Sequence, residues 1–136
     1  MNRAESRVLE RDTGPGVLAD IGRVLDETWA AHPEVPSAVC TQMSIAAGEI
    51  GANIVEHAAQ GRAVYLRMEV RVLPGHVHIF FVDGGIPLQT DLNEVSLPDA
   101  MAERGRGLAL AKAALSELSY SRDTANRWTL ISKRFC

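Results

Sequence analysis

A change of hydrophobic period near the middle of the chain constrains the fold more than any other feature of the sequence. From Val64 to Val72, apolar residues alternate with polar ones in VYLRMEVRV, which is the period of a strand with one buried face. The turn sequence LPGH follows, and then the apolar run VHIFFVD. Two strand-like runs joined by a short turn that contains glycine predict a β-hairpin. An antiparallel sheet is therefore expected.

Three other segments have the period of an amphipathic helix. The first is expected from Val17, with apolar residues at helical spacing as far as Trp29, and HPEVP ends it. The second is expected from about Pro36 to Ala59. The third is expected to open near Gly107, in GLALAKAALSEL. These helices leave one apolar face each to be buried.

The expected element order is β-α-α-β-β-α-β, with RVLER as a short first strand and NRWTLISKRF as the last. The simplest way to bury all the apolar faces is an α+β fold. It is a two-layer sandwich, with helices on one face of a mixed, mostly antiparallel sheet. A chain of 136 residues has the size of a single domain, spanning residues 1–136. The other sheet face would present Tyr65, Arg67, Glu69 and Arg71 to solvent or to a partner.

Composition excludes several classes of partner. The net charge of -3, with charges of both signs dispersed, provides no electrostatic footprint for nucleic acid. No apolar run is long enough to predict a membrane span, and the N-terminus lacks the apolar region of a signal peptide. Cys40 and Cys136 do not have metal-binding spacing. A reducing, cytoplasmic location is expected.

A polar stripe crosses the second helix. Glu49, Asn53 and His57 recur every fourth residue, so they lie along one helix face. A solvated stripe is the ordinary alternative, but Asn is a poor helix former and the flanking residues are apolar. Carboxylate and amide oxygens suit Mg²⁺, and a carboxylate can accept a proton from a hydroxyl. The stripe predicts a face that looks into a pocket, with an ordinary hydrogen-bonding role for His57 left open.

Two glycine-containing segments follow. In FFVDGGIPL, Asp83 ends an apolar strand, where it can accept a hydrogen bond from an exocyclic amine inside a cleft. Gly85 would let a flat ligand approach the backbone. The alternative is an ordinary glycine turn after a strand.

In ERGRGLALAKA, Gly105 and Gly107 precede a helix, with Arg104 and Arg106 interleaved. Bare N–H groups at a helix N-terminus form an anion site, and arginines add bidentate contacts to phosphate. A lone G-x-G is a weak signal, since helices often begin after glycine. The order and spacing of all three clusters predict a nucleoside triphosphate site.

The three clusters resemble the motifs of the GHKL ATPase superfamily. EIGANIVEHA resembles its N-box, DGGIP its first glycine box and GRGLAL its second. The resemblance implies a Bergerat ATP-binding fold, bound ATP and Mg²⁺, Glu49 as general base, and Asn53 as the magnesium ligand. It further implies Asp83 at the adenine amine, with Gly85 beside the ring. The implied ATP-binding set is Asn53, His57, Asp83, Gly85, Pro87, Arg104, Gly105, Arg106, Gly107, Leu108 and Thr129.

Within that superfamily, the chain is most similar to bacterial anti-sigma-factor serine kinases. Its length, its C-terminal stretch and the His57 that ends its N-box carry the likeness. The resemblance implies a serine protein kinase of a partner-switching system that phosphorylates a small anti-sigma-factor antagonist. A sigma factor or another regulator is a further partner, and a homodimer is expected.

Two alternatives stay open. The lid, roughly Leu88 to Arg104, is short, and this favours a nucleotide-binding regulatory module that sequesters a partner with little or no kinase activity. The other alternative is the catalytic domain of a two-component histidine kinase. It is disfavoured because none of the four histidines is expected on a free-standing long helix.

Overall fold

A computed structural model describes residues 5–95 and 106–136 of the chain. Within that part the elements follow in this order: β1 (Glu5–Asp12), α1 (Val17–Ala31), α2 (Ser37–Asn53), β2 (Tyr65–Leu73), β3 (His76–Asp83), α3 (Arg106–Ala114), β4 (Glu117–Arg122) and β5 (Asn126–Ile131). A π-helical turn, Ile54–Ala58, continues α2, and a 3₁₀ turn, Leu92–Glu94, follows β3.

The strands form one sheet with the order β1-β2-β3-β5-β4, and each of its ladders is antiparallel. The predicted hairpin is confirmed, with Leu73 opposite His76 at the turn. Inward-facing residues of the strands, such as Met68, Ile79 and Leu130, are fully buried against α1, α2 and α3. The expected α+β class, with helices on one face of the sheet, is confirmed.

The third helix is shorter than the sequence pattern predicts. It ends at Ala114, and the residues from Glu117 to Arg122 form β4, an edge strand that the pattern did not indicate. This strand pairs with β5 along its whole length, with Tyr120 opposite Trp128. The prediction of a helix through Leu118 was wrong because pairing with a distant strand overrides local helix propensity.

The second helix extends as far as predicted, but its last turn is wider than an α-helical turn. Residues Ile54–Ala58 are π-helical, a geometry that often occurs at functional sites. Gln60 and Gly61 then adopt left-handed backbone conformations, with φ of 51° and 78°. Glycine adopts such a φ without steric cost, so Gly61 suits the chain reversal that leads into β2.

Among the described residues, no helix has the length and hydropathy that crossing a bilayer would require. The face of the sheet opposite the helices carries the polar residues of β2, as predicted. Arg71 lies over the ring of Phe80 there, 5.5 Å from its centroid, and also donates to Glu69. In the part of the chain that the structure describes, this outer face therefore carries ionic and cation–π contacts and no second layer of helices.

Candidate functional site

A cavity of about 190 Å³ opens between the end of α2, the loop after β3, the start of α3 and the inner face of β4 and β5. Four residues of the predicted site line it: Asn53, His57, Pro87 and Leu108. The helix, the first glycine segment and the second glycine segment thus each contribute residues to the lining of one cavity. His57 is 63% exposed and lies near Glu56, so it stands at the mouth.

Asp83 lies fully buried behind the cavity wall, at the end of β3. Its Oδ1 accepts hydrogen bonds from the Gly85 N–H, at 2.9 Å, and from Asn126 Nδ2, at 2.8 Å. Its Oδ2 is buried without a partner. Burial raises the pKa of Asp83, and the hydrogen bonds from Asn126 and Gly85, the positive charge of Arg122 and the nearby Trp128 side chain oppose that shift. An unpaired buried acceptor beside a cavity is a position for a ligand donor.

Gly85 has a structural role that the sequence did not indicate. A β-carbon placed on it would lie 2.5 Å from the backbone C and O of Ala58, closer than any real contact. The N–H of the next residue, Ile86, donates to the same Ala58 carbonyl at 2.9 Å. The glycine therefore lets the loop after β3 pack directly on the π-helical turn, which fixes two walls of the cavity to each other.

Glu49 meets the start of α3. A β-carbon placed on Gly107 would lie 2.5 Å from Glu49 Oε2, so the carboxylate occupies the space that any larger residue would fill. Arg106 is the first residue of α3 and is exposed. The structure therefore brings the predicted base to a helix N-terminus, where the macrodipole favours anions. The predicted residues Arg104 and Gly105 lie outside the described residues.

Among the predicted site residues that the structure describes, Thr129 alone lies on the other side of the sheet. It pairs with Phe80, and both residues belong to the outer face. Its neighbours Asn126 and Trp128 face inward and line the cavity. The parity of β5 explains this placement, because residues two apart share a face and adjacent residues do not.

The cavity wall also includes three inward-facing residues of β4 and β5 that the sequence motifs did not indicate: Tyr120, Asn126 and Trp128. The rings of Tyr120 and Trp128 lie 4.8 Å apart at 60°, a tilted aromatic pair. A signal was present in NRWTLI, where the buried Trp128 and Leu130 fix the parity and put Asn126 on the same face. In β4 the parity is harder to read, because its first residues, Glu117 and Leu118, continue the helical pattern of GLALAKAALSEL.

Asn126 is the centre of a hydrogen-bond network around the cavity. Its Nδ2 donates to Asp83 Oδ1 at 2.8 Å, to the Ile86 carbonyl at 2.8 Å and, more weakly, to the Gly85 carbonyl at 3.3 Å. Its Oδ1 accepts from the Tyr120 hydroxyl and from Arg122 Nη1. The loop after β3 is thereby fixed to the last two strands.

The donor set fits a magnesium-bound adenine nucleotide. The described part of the chain contains no group of three or more His, Cys, Asp or Glu side chains that would hold a metal alone. Magnesium is commonly bound by one or two protein oxygens together with phosphate oxygens and water, and Asn53 offers one such oxygen on the cavity wall. Asp83 Oδ2 offers the acceptor for an amine.

The layered fold and this cavity define a nucleotide-binding domain of the ATPase class. The chain belongs to the family of histidine kinase-like ATPase domains, whose match extends over residues 15–133. Membership implies that the domain binds ATP. No curated protein matches the chain.

Two solved structures are similar in fold. The structure of the RsbU and RsbW domains of Rv1364c from Mycobacterium tuberculosis matches 96% of this chain and 32% of that chain, with a TM-score of 0.67 and 18% identity. The histidine kinase domain of the Erythrobacter litoralis EL346 blue-light activated histidine kinase matches 85% of this chain and 59% of that chain, with a TM-score of 0.55 and 19% identity. The chain thus spans less than two thirds of the length of either.

Proposed function

We propose that the protein is an ATP-dependent serine protein kinase and anti-sigma-factor-like regulator of a partner-switching system. Its substrate is the serine of a small anti-sigma-factor antagonist, and a sigma factor or another regulator is its second partner. The observation that carries the proposal is the contact of Glu49 with Gly107, which joins a carboxylate to a helix N-terminus beside the nucleotide cavity. The likeness of the C-terminal stretch to anti-sigma-factor serine kinases, and the RsbW-containing structural neighbour, support it.

Each residue has a distinct role in this proposal. Asp83 accepts a hydrogen bond from the exocyclic amine of adenine, and Asn53 supplies an oxygen ligand for Mg²⁺. Gly107, in the first turn of α3, brings backbone N–H groups to the phosphates, where they stabilise charge on the transferring group; the same role is expected of Gly105 from the sequence. ATP is the phosphoryl donor, and a magnesium ion held by Asn53 together with phosphate oxygens and water would supply charge neutralisation.

Glu49 acts on the acceptor. Its carboxylate takes the proton of the serine hydroxyl while the serine oxygen forms a bond to the γ-phosphorus. The bond from that phosphorus to the β–γ bridging oxygen breaks, and ADP leaves with the electron pair. The product is a phosphoserine, which carries up to about two negative charges and three acceptor oxygens. Such a group weakens an interface by repulsion and desolvation, so phosphorylation would release the antagonist and free the kinase to hold its other partner.

One observation favours the alternative, a nucleotide-binding module that sequesters a partner with little transfer. The lid is short, and its described beginning is tied down. Lys112 of α3 donates to the carbonyl of Leu92 at 2.7 Å and to that of Val95 at 3.0 Å. A lid held in this way has less reach over the phosphates than a long free segment.

The experiment that separates the two functions uses labelled ATP, Mg²⁺ and a candidate small antagonist protein as the phosphate acceptor. Glu49→Gln should reduce phosphate transfer to that protein by roughly 10²- to 10⁴-fold, because it removes the base, while ATP affinity stays nearly unchanged. Glu56→Gln is the matched control, since Glu56 is exposed on the adjoining π-helical turn and does not line the cavity. Transfer at the wild-type rate by Glu49→Gln would disprove the assignment, and ATP binding without transfer by the wild type would favour sequestration.

A further inference from the structure

The hydrogen bonds around Asn126 fix the orientation of its side-chain amide. The amide has two distinct ends, and each end meets partners of the opposite kind. Its oxygen faces two donors, the Tyr120 hydroxyl and the Arg122 guanidinium. Its nitrogen faces the Asp83 carboxylate and the carbonyls of Gly85 and Ile86, which are all acceptors. A flipped amide would set oxygen against oxygen, so the surroundings determine its orientation.

That orientation makes the two oxygens of Asp83 unequal. Oδ1 receives the Asn126 N–H and the Gly85 N–H, whereas Oδ2 is buried with no partner. Both donors to Oδ1 come from protein groups with fixed positions, so the carboxylate cannot rotate without losing both hydrogen bonds. A buried acceptor that loses its donors costs the desolvation of that group, which opposes rotation.

We propose that Asn126 is a positioning residue for base recognition: held by Tyr120 and Arg122 of the edge strand β4, it engages one oxygen of Asp83 and leaves the other as the single acceptor for the exocyclic amine of a purine. The proposal rests on the nucleotide binding in the proposed function. It adds the residue that makes the site distinguish a purine with an exocyclic amine from one without it. It does not depend on the identity of the phosphate acceptor.

The same hydrogen-bond network connects the proposed adenine-binding position to the beginning of the lid. The Tyr120 hydroxyl, which donates to Asn126, also accepts the N–H of Leu88 at 2.9 Å. Arg122 likewise donates to the carbonyl of Gly85 at 3.0 Å, on the other side of the loop. The loop after β3 is therefore held by hydrogen bonds both from Asn126 of β5 and from Tyr120 and Arg122 of β4.

The test compares ATP with purine riboside triphosphate, which has the same ring and phosphates but lacks the 6-amino group. Affinities are measured by calorimetry with Mg²⁺ present. The wild type should prefer ATP by roughly tenfold or more, the scale of a hydrogen bond to a charged group. In Asn126→Ala that preference should fall to about twofold or less, because Asp83 is no longer held. Asn126→Thr, whose hydroxyl can donate to the carboxylate, should recover part of the preference.

A merely structural role for Asn126 predicts something different, namely an equal loss of affinity for both nucleotides. That result, or an undiminished preference for ATP, would overturn the proposal. Arg127→Gln is the matched control on the same strand, since Arg127 is exposed and pairs with Asp123 rather than with the cavity. Its preference should equal that of the wild type.

A second variant covers the case in which Asn126→Ala does not fold, as judged by circular dichroism. Tyr120→Phe combined with Arg122→Met removes both donors to the amide oxygen while keeping Asn126. A reduced preference for ATP supports the proposal, and an unchanged preference contradicts it. If the wild type binds neither nucleotide, the proposed function fails; if it binds ATP selectively and the variants keep that selectivity, only the positioning role fails.

Discussion

Two buried carboxylates on neighbouring strands of the sheet have opposite environments. Glu69 lies in β2 on the outer face, 9% exposed, and Asp83 ends β3 on the inner face, with no exposure. The strands pair directly, so the two groups belong to the same ladder. Each carboxylate receives two hydrogen bonds, but the donors to Glu69 are cationic and reach both of its oxygens, whereas the donors to Asp83 are neutral and both reach Oδ1.

Glu69 is satisfied by cations from its own strand. Arg71 Nε donates to its Oε2 at 2.7 Å, and Arg67 Nη1 donates to its Oε1 at 3.3 Å. The hydrogen bond from Arg71 and the charges of both arginines hold the pKa of Glu69 below its ordinary value, against the effect of burial. A carboxylate paired in this way stabilises the fold, and both of its oxygens already accept hydrogen bonds from protein groups.

Asp83 is satisfied only on one side. Burial raises its pKa, and its neighbours on Oδ1 are neutral amides. A charge that is buried and half paired costs free energy in the absence of a ligand, and that cost is relieved when a donor arrives. Burial alone therefore does not mark a functional carboxylate, whereas a buried carboxylate oxygen without a donor does.

The largest expected effect is on nucleotide affinity. Asp83→Asn should weaken ATP binding by roughly 10- to 100-fold, because an amide replaces the charged acceptor for the adenine amine. Glu69→Gln should leave ATP affinity unchanged, since Glu69 lies on the opposite face of the sheet. Isothermal titration calorimetry with Mg²⁺ measures both. Equal ATP affinities of the wild type and Asp83→Asn would show that Asp83 does not bind adenine. The functional difference between Asp83 and Glu69 would then be disproved.

An effect of intermediate size is expected from pH. The raised pKa of Asp83 means that its carboxylate takes up a proton above pH 3.8, the ordinary midpoint. Protonation removes the charged acceptor, so ATP affinity should fall as pH is lowered through that raised pKa. Asp83→Asn should lack this component of the pH profile, and the difference between the two profiles cancels the titration of ATP itself. Parallel profiles would show that Asp83 does not contact the nucleotide.

The smallest expected effect is on stability without nucleotide, where the two carboxylates should act in opposite directions. Glu69→Gln should lower the free energy of unfolding by about 1 kcal/mol at neutral pH, since it removes a paired charge. Because the pKa of Glu69 is lowered, this contribution is present above pH 4.5, its ordinary value, and is lost as pH falls through the lowered pKa.

Asp83→Asn should leave stability unchanged or raise it slightly at neutral pH, because it removes a half-paired buried charge. The sign follows from the raised pKa: the charged carboxylate is the costly form, and lowering the pH relieves that cost in the wild type. Thermal denaturation at several pH values measures both variants. Destabilisation by Asp83→Asn equal to that by Glu69→Gln would mean that both groups are structural.

Much of this site could be predicted because its parts are local motifs. The stripe on α2, the Asp83 turn and the glycine turn before α3 each occupy a short stretch of sequence, and their residue types indicate their chemistry. Asn53, His57, Pro87 and Leu108 accordingly line one cavity. The features that the sequence did not indicate depend on a partner strand. The first residues of β4 continue a helical pattern and form a strand only by pairing with β5. The sheet face on which Thr129 lies follows from the register of β5 with β3.

The periods of the helices and strands, the hairpin and the positions of the three polar clusters can all be read from the sequence, since they depend on residues close together in the chain. The packing of distant segments is needed to bring Glu49 to Gly107, to turn Asn126 rather than Thr129 toward the cavity, and to leave one oxygen of Asp83 unpaired. The reason is physical: hydrogen-bond satisfaction, burial and the pKa of a carboxylate are set by groups brought together from distant parts of the chain.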